Sequence, residues 1–277
     1  MFRKNKILKK ILKVLQRNYF LTVIFAIIVF VGLIVVLKYI TSEPNFFYAR
    51  VQVSYPASYF SKPDFWLVKS LKSDVKQYNI LGRTEAQLIS VRYYPNQDGS
   101  TFNIYLTVKL AGGFNRGTQQ YTFQRSQIGV GSPIALNFSS SQFYGTVVDL
   151  SSTPFKDKYV EKTLYLVNRS AFYKDDPSVY DSIQIGDKYF DGMNDIFVVT
   201  DKSLQKNIFA ITNNFTGQVL EGQTDATQNI VVKAKILVLE KNGQAIFAGN
   251  QILHVGSKFT FSTSNFDFSN FVISSIY

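Results

Sequence analysis

The residue types that most often carry enzyme chemistry are scarce in this chain. It contains no cysteine and a single histidine, His254. Thiolate catalysis, disulfides, cysteine-based metal sites and histidine-cluster metal sites are therefore excluded. A Ser–His–acid triad would need a serine and a carboxylate placed around that one ring. Position 254 aligns with Gly129 in the repeat described below, so we expect His254 to have no catalytic role.

Acidic residues are the second group that could do chemistry. Asp74 and Asp187 align with each other in the repeat, and paired carboxylates can act as acid and base or bind Ca²⁺. Each is followed by a turn-like segment, and aspartate commonly caps its own turn, so we favour the turn. The group Asp175, Asp176 and Asp181 could hold a cation, but it lacks the glycine and regularly spaced further acids of a Ca²⁺ loop. We predict no catalytic residues, no metal and no cofactor.

Two Val-Gly-Ser motifs contain glycines that could belong to phosphate-binding loops, Gly131 and Gly256. Such a loop needs several glycines and a following helix. An alternating β pattern follows both motifs instead. A turn or bulge before a strand is the favoured interpretation.

An aromatic-rich stretch follows at residues 46–66. These rings could stack on sugars, form an interfacial belt at a membrane or belong to a hydrophobic core. Its members are Phe46, Phe47, Tyr48, Tyr55, Tyr59, Phe60, Phe65 and Trp66.

The formal net charge of +11 is concentrated at the N-terminus. Residues 1–40 contain 8 of the 30 basic residues and no acid, so the rest of the chain has 22 basic against 19 acidic residues, a net charge of +3. A nucleic-acid-binding domain would carry its lysines and arginines on the fold itself, so we expect no nucleic-acid partner. The basic residues expected to set membrane topology are Arg3, Lys4, Lys6, Lys9, Lys10, Lys13 and Arg17.

Residues 19–38 are predicted to form a transmembrane helix. No charged residue occurs from Tyr19 to Leu37, and nineteen helical residues span about 28 Å, close to the hydrocarbon thickness of a bilayer. The run is longer than a signal-peptide core and no small-x-small cleavage site follows it, which favours an uncleaved anchor. The residues expected to anchor the helix are Tyr19, Phe20, Ile24, Phe25, Phe30 and Leu37.

The distribution of charge also predicts how the chain crosses the membrane. Basic residues are denser before the apolar run than after it, so the positive-inside rule places residues 1–18 in the cytoplasm and residues 41–277 outside a plasma membrane. Residues 1–18 show the spacing of a basic amphipathic helix, which can lie on the anionic lipids of the inner leaflet. The alternative is a solvated segment that only supplies charge.

The chain beyond the helix reads as two copies of one unit. Three blocks align: residues 53–65 with 167–179 at an offset of 114, residues 71–78 with 183–190, and residues 121–148 with 246–273 at an offset of 125, which places Val147 on Val272. Copy one is predicted at 46–150, a linker at 151–159 and copy two at 160–277. The growing offset predicts an insertion at 201–228.

Within each copy, apolar and polar residues alternate. The stretch at 102–110, FNIYLTVKL, is one example, and this period of two is typical of half-buried strands. The pairs at 112–113, Gly-Gly, and at 242–243, Asn-Gly, fall where hairpin turns are expected. We predict an all-β ectodomain of two tandem homologous small β-sandwich or barrel-like units, behind one N-terminal transmembrane α-helix.

The order of motifs in each copy resembles a known group of proteins. Each copy reads as a starting strand, a motif like IGDKY at 185–189, a strand pair, Val-Gly-Ser and a closing strand. This resembles an uncharacterised bacterial family of single-pass membrane proteins with an extracytoplasmic domain of unknown function, over nearly all of residues 46–277. Copy one departs from the motif, with Ser73 where glycine is expected and Val75 after the aspartate. The family lends no catalytic residues.

These observations favour a membrane-anchored, non-enzymatic scaffold. We expect a structural or interaction subunit of a cell-envelope, export or surface assembly, which binds an envelope protein or a second copy of itself. The alternative is an envelope-acting hydrolase or a carbohydrate-binding protein. The insertion is where the copies differ, and loops vary without disturbing a core, so we predict that it carries the contacts. An edge hairpin packed on its own domain is the other possibility. The contact residues expected there are Ile208, Phe209, Ile211 and Phe215.

Overall fold

The computed structural model describes residues 19–41, 45–54, 65–96, 101–139, 141–173, 178–212 and 219–277, without the side chains of residues 21, 39–41, 65–66, 169–173, 207–212 and 219–227. The chain divides into two compact units, Met1–Asn45 and Phe46–Tyr277. The helices of the described part are α1 (Tyr19–Thr41), α2 (Phe65–Ser70) and α3 (Ser178–Ser182).

Helix α1 belongs to the first unit. A search of the described residues finds no helix with both the length and the apolar character needed to cross a membrane. The predicted transmembrane helix is wrong on this finding. The topogenic residues, all within 1–18, lie outside the described residues. The six residues expected to anchor the helix have exposed side chains: Tyr19, Phe20, Ile24, Phe25, Phe30 and Leu37.

The first sheet lies within residues 46–151. Its strands are β1 (Phe46–Val53), β2 (Lys76–Tyr78), β3 (Thr84–Pro95), β4 (Phe102–Asn115), β5 (Gln120–Phe123), β6 (Ser126–Ile128), β7 (Pro133–Phe138) and β8 (Ser141–Ser151). The order is β2-β3-β4-β1-β8-β7, and β5 and β6 continue from β4 as a short pair. The alternation expected from the sequence is present, because every second side chain of β4 from Phe102 to Leu110 is buried.

The second sheet repeats this topology within residues 159–276. Its strands are β9 (Tyr159–Tyr173), β10 (Lys188–Phe190), β11 (Asp195–Thr212), β12 (Val219–Lys241), β13 (Gln244–Phe247), β14 (Gln251–Ile252), β15 (Lys258–Phe259) and β16 (Phe271–Ile276). The order is β10-β11-β12-β9-β16-β15, and β13 and β14 continue from β12. The second strand order is the first one shifted by eight strands, and the all-β prediction for this part of the chain is confirmed.

Irregularities in strand pairing also repeat between the sheets. A bulge places an extra residue in one strand and depends on the local sequence, so bulges are kept within families. Three of them occupy matching positions in the two sheets, as expected for a duplicated unit. The extra residues at matching positions are Glu85 and Ile196, Ile89 and Thr200, and Val148 and Ser274.

The sequence alignment is one residue out at both ends of the repeat. Val53 is buried and corresponds to the buried Asn168, whereas Val167 is only half-buried. At the other end, Val147 corresponds to Ile273, since each donates its N–H to the serine of its Val-Gly-Ser motif at 2.9 Å. A slip of one residue exchanges the two faces of a strand. The sequence alignment matched valine with valine and therefore paired a residue on the buried face of one strand with a residue on the opposite face of the other.

The predicted insertion is an extension of the central hairpin of the second sheet. Pairing of β3 with β4 ends at Pro95, whereas pairing of β11 with β12 continues from the equivalent position, Lys206, to Thr212 opposite Val219. The described part of the insertion is therefore paired strand that extends the sheet, and residues 213–218 lie outside the described residues. The side chains of Ile208, Phe209 and Ile211 are not among those described, and Phe215 lies outside the described residues. The contact role of these four residues stays a prediction.

One of the two hairpin turns expected from the sequence is present. Asn242 and Gly243 have φ of 53° and 75° and connect β12 to β13, as the turn chemistry requires. Gly112 and Gly113 lie within β4 instead, so a turn there is wrong. An added Cβ at Gly112 would collide with the main chain of Thr122, so this glycine allows β5 to approach closely.

Each sheet has its own hydrophobic core. The first is built from β1, β3, β4, β7 and β8 with α2. The second is rich in phenylalanine, and the Phe197 ring lies 5.9 Å from Phe259 and 5.1 Å from Phe268. Tyr94, a residue of β3 in the first sheet, is buried in the second core. The two sheets therefore share a packed contact.

Candidate functional site

His254 contributes to a turn through its main chain. Its side chain is exposed, and its carbonyl accepts hydrogen bonds from Ser257 N–H at 3.1 Å and Ser257 Oγ at 2.7 Å. The equivalent turn in copy one has Gly129, whose carbonyl accepts from Ser132 N–H at 3.0 Å. A residue without a side chain thus fulfils the same role.

The alignment of Asp74 with Asp187 is wrong, and the block that pairs residues 71–78 with 183–190 itself places Asp74 on Gly186. Asp74 has φ of 66° and donates its N–H to Leu88 O at 2.8 Å, whereas Gly186 has φ of 90° and donates to Val199 O at 2.8 Å. Asp74 therefore stands in the position of Gly186. Aspartate tolerates this left-handed backbone better than most residues, which explains why the substitution is accommodated.

Asp187 has a structural role that copy one does not share. Its buried carboxylate accepts hydrogen bonds from Thr263 Oγ1 at 2.5 Å and Asn265 Nδ2 at 2.8 Å. These bonds connect the residue before β10 to the loop between β15 and β16. Asp187 therefore supports a distant turn rather than its own.

Among the described residues, no group of three or more His, Asp or Glu side chains could hold a metal ion. Asp181 is exposed on α3, and Asp175 and Asp176 lie outside the described residues. Gly131 and Gly256 have φ of 89° and 87° and donate their N–H groups to main-chain carbonyls at 2.7 Å. The turn interpretation of both glycines is confirmed.

The aromatic-rich stretch is divided between several environments. Phe47 is buried in the first core, Phe46 lies 4.3 Å from Lys109 Nζ, and Tyr48 lines the cleft described next. The side chains of Phe65 and Trp66 are not described, although both residues belong to α2. Tyr55, Tyr59 and Phe60 lie outside the described residues.

A cleft of about 500 Å³ lies between the two sheets. The first sheet contributes residues of β1, β3, β4 and β8, and the second contributes residues of β12, β13 and the loop after β10. The linker between the sheets also lines it. The charged groups of the cleft are balanced, three cations against three carboxylates: Arg50, Arg92 and Lys241 against Asp149, Asp157 and Asp191.

Arg92 of β3 and Asp191, which follows β10, form an ion pair between the sheets. The Asp191 side chain is fully buried, and that of Arg92 is 17% exposed. The second carboxylate oxygen of Asp191 accepts the N–H groups of Met193 and Asn194, each at 2.8 Å. The Arg92 guanidinium also lies 4.4 Å from the centre of the Tyr159 ring. Both oxygens of this buried carboxylate are thus hydrogen-bonded, as burial of a charge requires.

We call residues 190–194 the docking loop, because they also contact β3 through the main chain. Asp191 O accepts the N–H of Tyr93 at 2.9 Å, and Tyr189 Oη donates to Tyr93 O at 3.2 Å. Gly192 has φ of 100°, and a Cβ there would meet Val91 O at 2.7 Å. Only glycine permits this approach. The docking loop therefore covers the outer edge of β3 at Tyr93.

A second set of charges holds the linker. Arg50 Nη2 lies 2.7 Å from Asp157 Oδ2, and its guanidinium lies 4.7 Å from the Phe155 ring centre. Asp149 is 3.9 Å from Arg50 and 3.5 Å from Lys241. These groups are partly exposed, so each pair contributes less than about 1 kcal/mol. Together they connect β1, β8, the linker and β12.

Burial raises the pKa of the tyrosines around the inter-sheet contact. For Tyr94 burial is the main cause and the charge of Asp191 adds to it, and for Tyr189 burial is again the main cause, followed by Tyr93. Burial lowers the pKa of Arg92, but Asp191 and neighbouring tyrosines raise it further, so the net shift is upward. These groups keep one protonation state near neutral pH, which does not suit them to proton transfer.

Comparison with protein-family models, with curated proteins and with solved structures finds no match. The resemblance to single-pass bacterial membrane proteins stays a prediction. The role of the cleft rests on its geometry.

The ion pair between the sheets was missed in the sequence. Asp191-Gly192 is a dipeptide typical of turns, so a tight turn after β10 could have been identified. Arg92 is one of several polar residues that alternate along a strand, and no local pattern distinguishes it. Its partner is 99 residues away.

Proposed function

We propose that residues 46–277 act as a non-enzymatic interaction subunit, in which two β-units are held in a fixed arrangement and present their remaining surfaces to partners. The observation that carries this proposal is the buried Arg92–Asp191 pair with its docking loop. A fully buried carboxylate that accepts two main-chain N–H groups and an arginine is a strong constraint on how the sheets pack.

The chemistry of the cleft also supports binding over catalysis. Each of its three carboxylates has an arginine or lysine partner. General acid–base catalysis needs a group whose pKa lies near the working pH, and the raised pKa values here belong to arginine and tyrosine. A place for this subunit in the cell envelope stays a prediction.

A hydrolysis assay tests the proposal against the enzymatic alternative. The purified full chain is incubated with peptidoglycan, cell-wall polysaccharide and ester substrates, beside Asp149→Asn and, as a matched surface control, Asp181→Asn. We expect no product above buffer from any of the three proteins. Turnover by the wild type that Asp149→Asn abolishes and Asp181→Asn retains would overturn the proposal.

Limited proteolysis tests the fixed arrangement. Arg92→Ala should expose the linker at 152–158, because it removes the only charged partner that the described residues provide for the Asp191 carboxylate. The control is Lys188→Ala, which breaks an ion pair with Asp195 in which both side chains are exposed. Equal cleavage rates in the two variants would show that the ion pair does not hold the units together.

Carbohydrate binding is the second candidate, and the size and lining of the cleft favour it. Small-molecule sites commonly measure about 300–1,000 Å³, and this cleft combines balanced charges with the rings of Tyr48 and Tyr105. Isothermal titration with cell-wall oligosaccharides would detect such binding. A signal that Tyr105→Ala removes, with circular dichroism unchanged, would establish it.

A further inference from the structure

The two sheets together offer one more docking position than the chain uses. The docking loop of the second sheet lies on residues 91–94 of β3. By the same topology, the first sheet has a loop after β2, residues 78–83, and the second sheet has an acceptor segment on β11, residues 202–205. Within the described part of the chain, neither of them pairs with a loop or a strand edge in this way. The acceptor segment is contacted at Lys202 by Tyr180 of α3, whose Oη donates to Lys202 O at 3.4 Å and whose carbonyl accepts from Lys202 Nζ at 2.7 Å.

The acceptor segment has the same strand geometry as the occupied position on β3. Tyr93 lies opposite Ile104, five residues beyond the pair of Leu88 with Val108. Leu204 lies opposite Ile230, five residues beyond the equivalent pair of Val199 with Ala234. A bulge separates the two pairs in both strands. The N–H of Tyr93 points outward to Asp191 O. Since the register is identical, the N–H of Leu204 points outward too, along a strand edge that can accept another chain.

The loop after β2 has the same internal bonding as the docking loop. Asn79 Oδ1 accepts the N–H groups of Leu81 and Arg83, both at 2.9 Å. Asp191 Oδ1 accepts two N–H groups in the same manner, both at 2.8 Å. Side-chain acceptance of this kind fixes the loop before any partner binds.

Apolar side chains are exposed on the loop after β2 and near the acceptor segment. In the loop after β2, Tyr78 is 58% exposed, Ile80 is 104% exposed and Leu81 is 67% exposed. In the second sheet, Leu204 of the acceptor segment is 44% exposed and Ile185, which precedes β10, is 60% exposed. Three large apolar residues within four positions of one tight loop mark a binding site more clearly than scattered ones would.

The loop after β2 and the acceptor segment each differ from their counterparts in the occupied contact, and the differences are complementary. Asn79 stands in the place of Asp191 and Ser203 in the place of Arg92, so a charged pair becomes a neutral polar pair. Ile80 replaces the docking-loop glycine, and Ile185 replaces a serine of copy one. The loop after β2 is also one residue longer than the docking loop. The exposed side chains of the loop after β2, rather than its main chain, are therefore available for contact.

We propose that the loop at 78–83 of one chain docks against the acceptor segment and Ile185 of a second copy. This contact repeats the arrangement inside the chain, and it joins different surfaces of the two copies, so the chains associate head to tail into a ring or a filament. The inference deepens the proposed function, on which it rests, by naming the partner as the chain itself.

The absence of cysteine allows a direct test with the full chain. Ile80→Cys protein is mixed with Leu204→Cys protein, and a short bis-maleimide links thiols that come together. The control mixture pairs Ile80→Cys with Val130→Cys, since Val130 is 69% exposed in a turn of the same sheet. We expect about tenfold more linked dimer from the first mixture than from the control. Equal yields overturn the proposal, and they are also what association through helix α1 would give.

A second measurement covers folding. Ile80→Asp should weaken association by more than about tenfold in sedimentation velocity, because it removes an apolar side chain from the proposed contact between copies and adds a charge there. Val130→Asp should leave association unchanged, and both variants should keep the wild-type circular dichroism spectrum. Unchanged association of Ile80→Asp, or a monomeric wild type, refutes the head-to-tail contact. Such a result does not affect the proposed function as an interaction subunit, which the hydrolysis and proteolysis assays test separately.

Discussion

Replacement of Asp191 by asparagine isolates the charge of the buried pair. Asparagine can keep the two main-chain hydrogen bonds, because Asn79 makes the same pair of bonds in the first sheet. What is lost is the partner of Arg92, whose side chain is only 17% exposed. Breaking one partner of a buried pair costs about 3–5 kcal/mol. The remaining exposure of Arg92 places the expected loss near the lower end, about 3 kcal/mol.

A double replacement separates the charge from the shape. In Arg92→Met with Asp191→Asn, no charge is left unpaired, and pairs replaced by uncharged groups often cost little. We expect the double variant to be about 2 kcal/mol more stable than Asp191→Asn alone. The control is Lys188→Met with Asp195→Asn, an exposed pair that should change stability by less than about 1 kcal/mol.

Urea unfolding followed by far-ultraviolet circular dichroism provides the measurement. The variants can be compared where the free energy of unfolding falls with urea concentration at the same slope, because a shifted midpoint then reports a change in stability alone. A cost below about 0.5 kcal/mol for Asp191→Asn would refute the reasoning. So would a double variant whose cost equals the sum of the two single replacements, because independent sites add in that way.

Four further outcomes follow from the described residues. Gly131→Ala should destabilise the fold by about 1–2 kcal/mol, because its φ is 89°. Gly113→Ala, where an added Cβ meets nothing within 4 Å, should change unfolding by less than about 0.5 kcal/mol. His254→Gln should leave urea unfolding and cross-linking unchanged. Burial in the folded protein raises the pKa values of Tyr94 and Tyr189 above 10.0. The stability that the two neutral tyrosines contribute is therefore full below pH 10.0 and is lost as the pH rises through their folded pKa values. Urea midpoints should fall above about pH 10, and less steeply in Tyr94→Phe.

The strand content and the two-unit organisation could be predicted because they follow from local patterns. Alternation with a period of two fixes which side chains face the core, and FNIYLTVKL shows it over nine residues of β4. The left-handed backbone at Gly131 and Gly256 was also predictable from glycine type. The alignment failed where only shape distinguishes two positions, as with Val167 and Asn168, because a buried asparagine gives no apolar signal.

The contact between the sheets could not be predicted for a different reason. Arg92 and Asp191 meet only after two sheets have formed and packed, and no sequence spacing records that distance. The close approach at Gly192 depends on the main chain of Val91, which a sequence does not show. The insertion at 201–228 was predicted because the offset between the two copies grows across it. Its strand pairing was not predicted, since paired strand and loop have similar composition here.

The length of β12 gives the second sheet a mechanical property that the first sheet lacks. Its 23 residues extend over about 75 Å at 3.3 Å per residue, and they are hydrogen-bonded to β9 on one side and β11 on the other. A pull along the strand from the far end of the hairpin would load these hydrogen bonds together in shear. A pull across the strand would break them one after another. A load applied along the hairpin would therefore be carried into the phenylalanine-rich core of copy two.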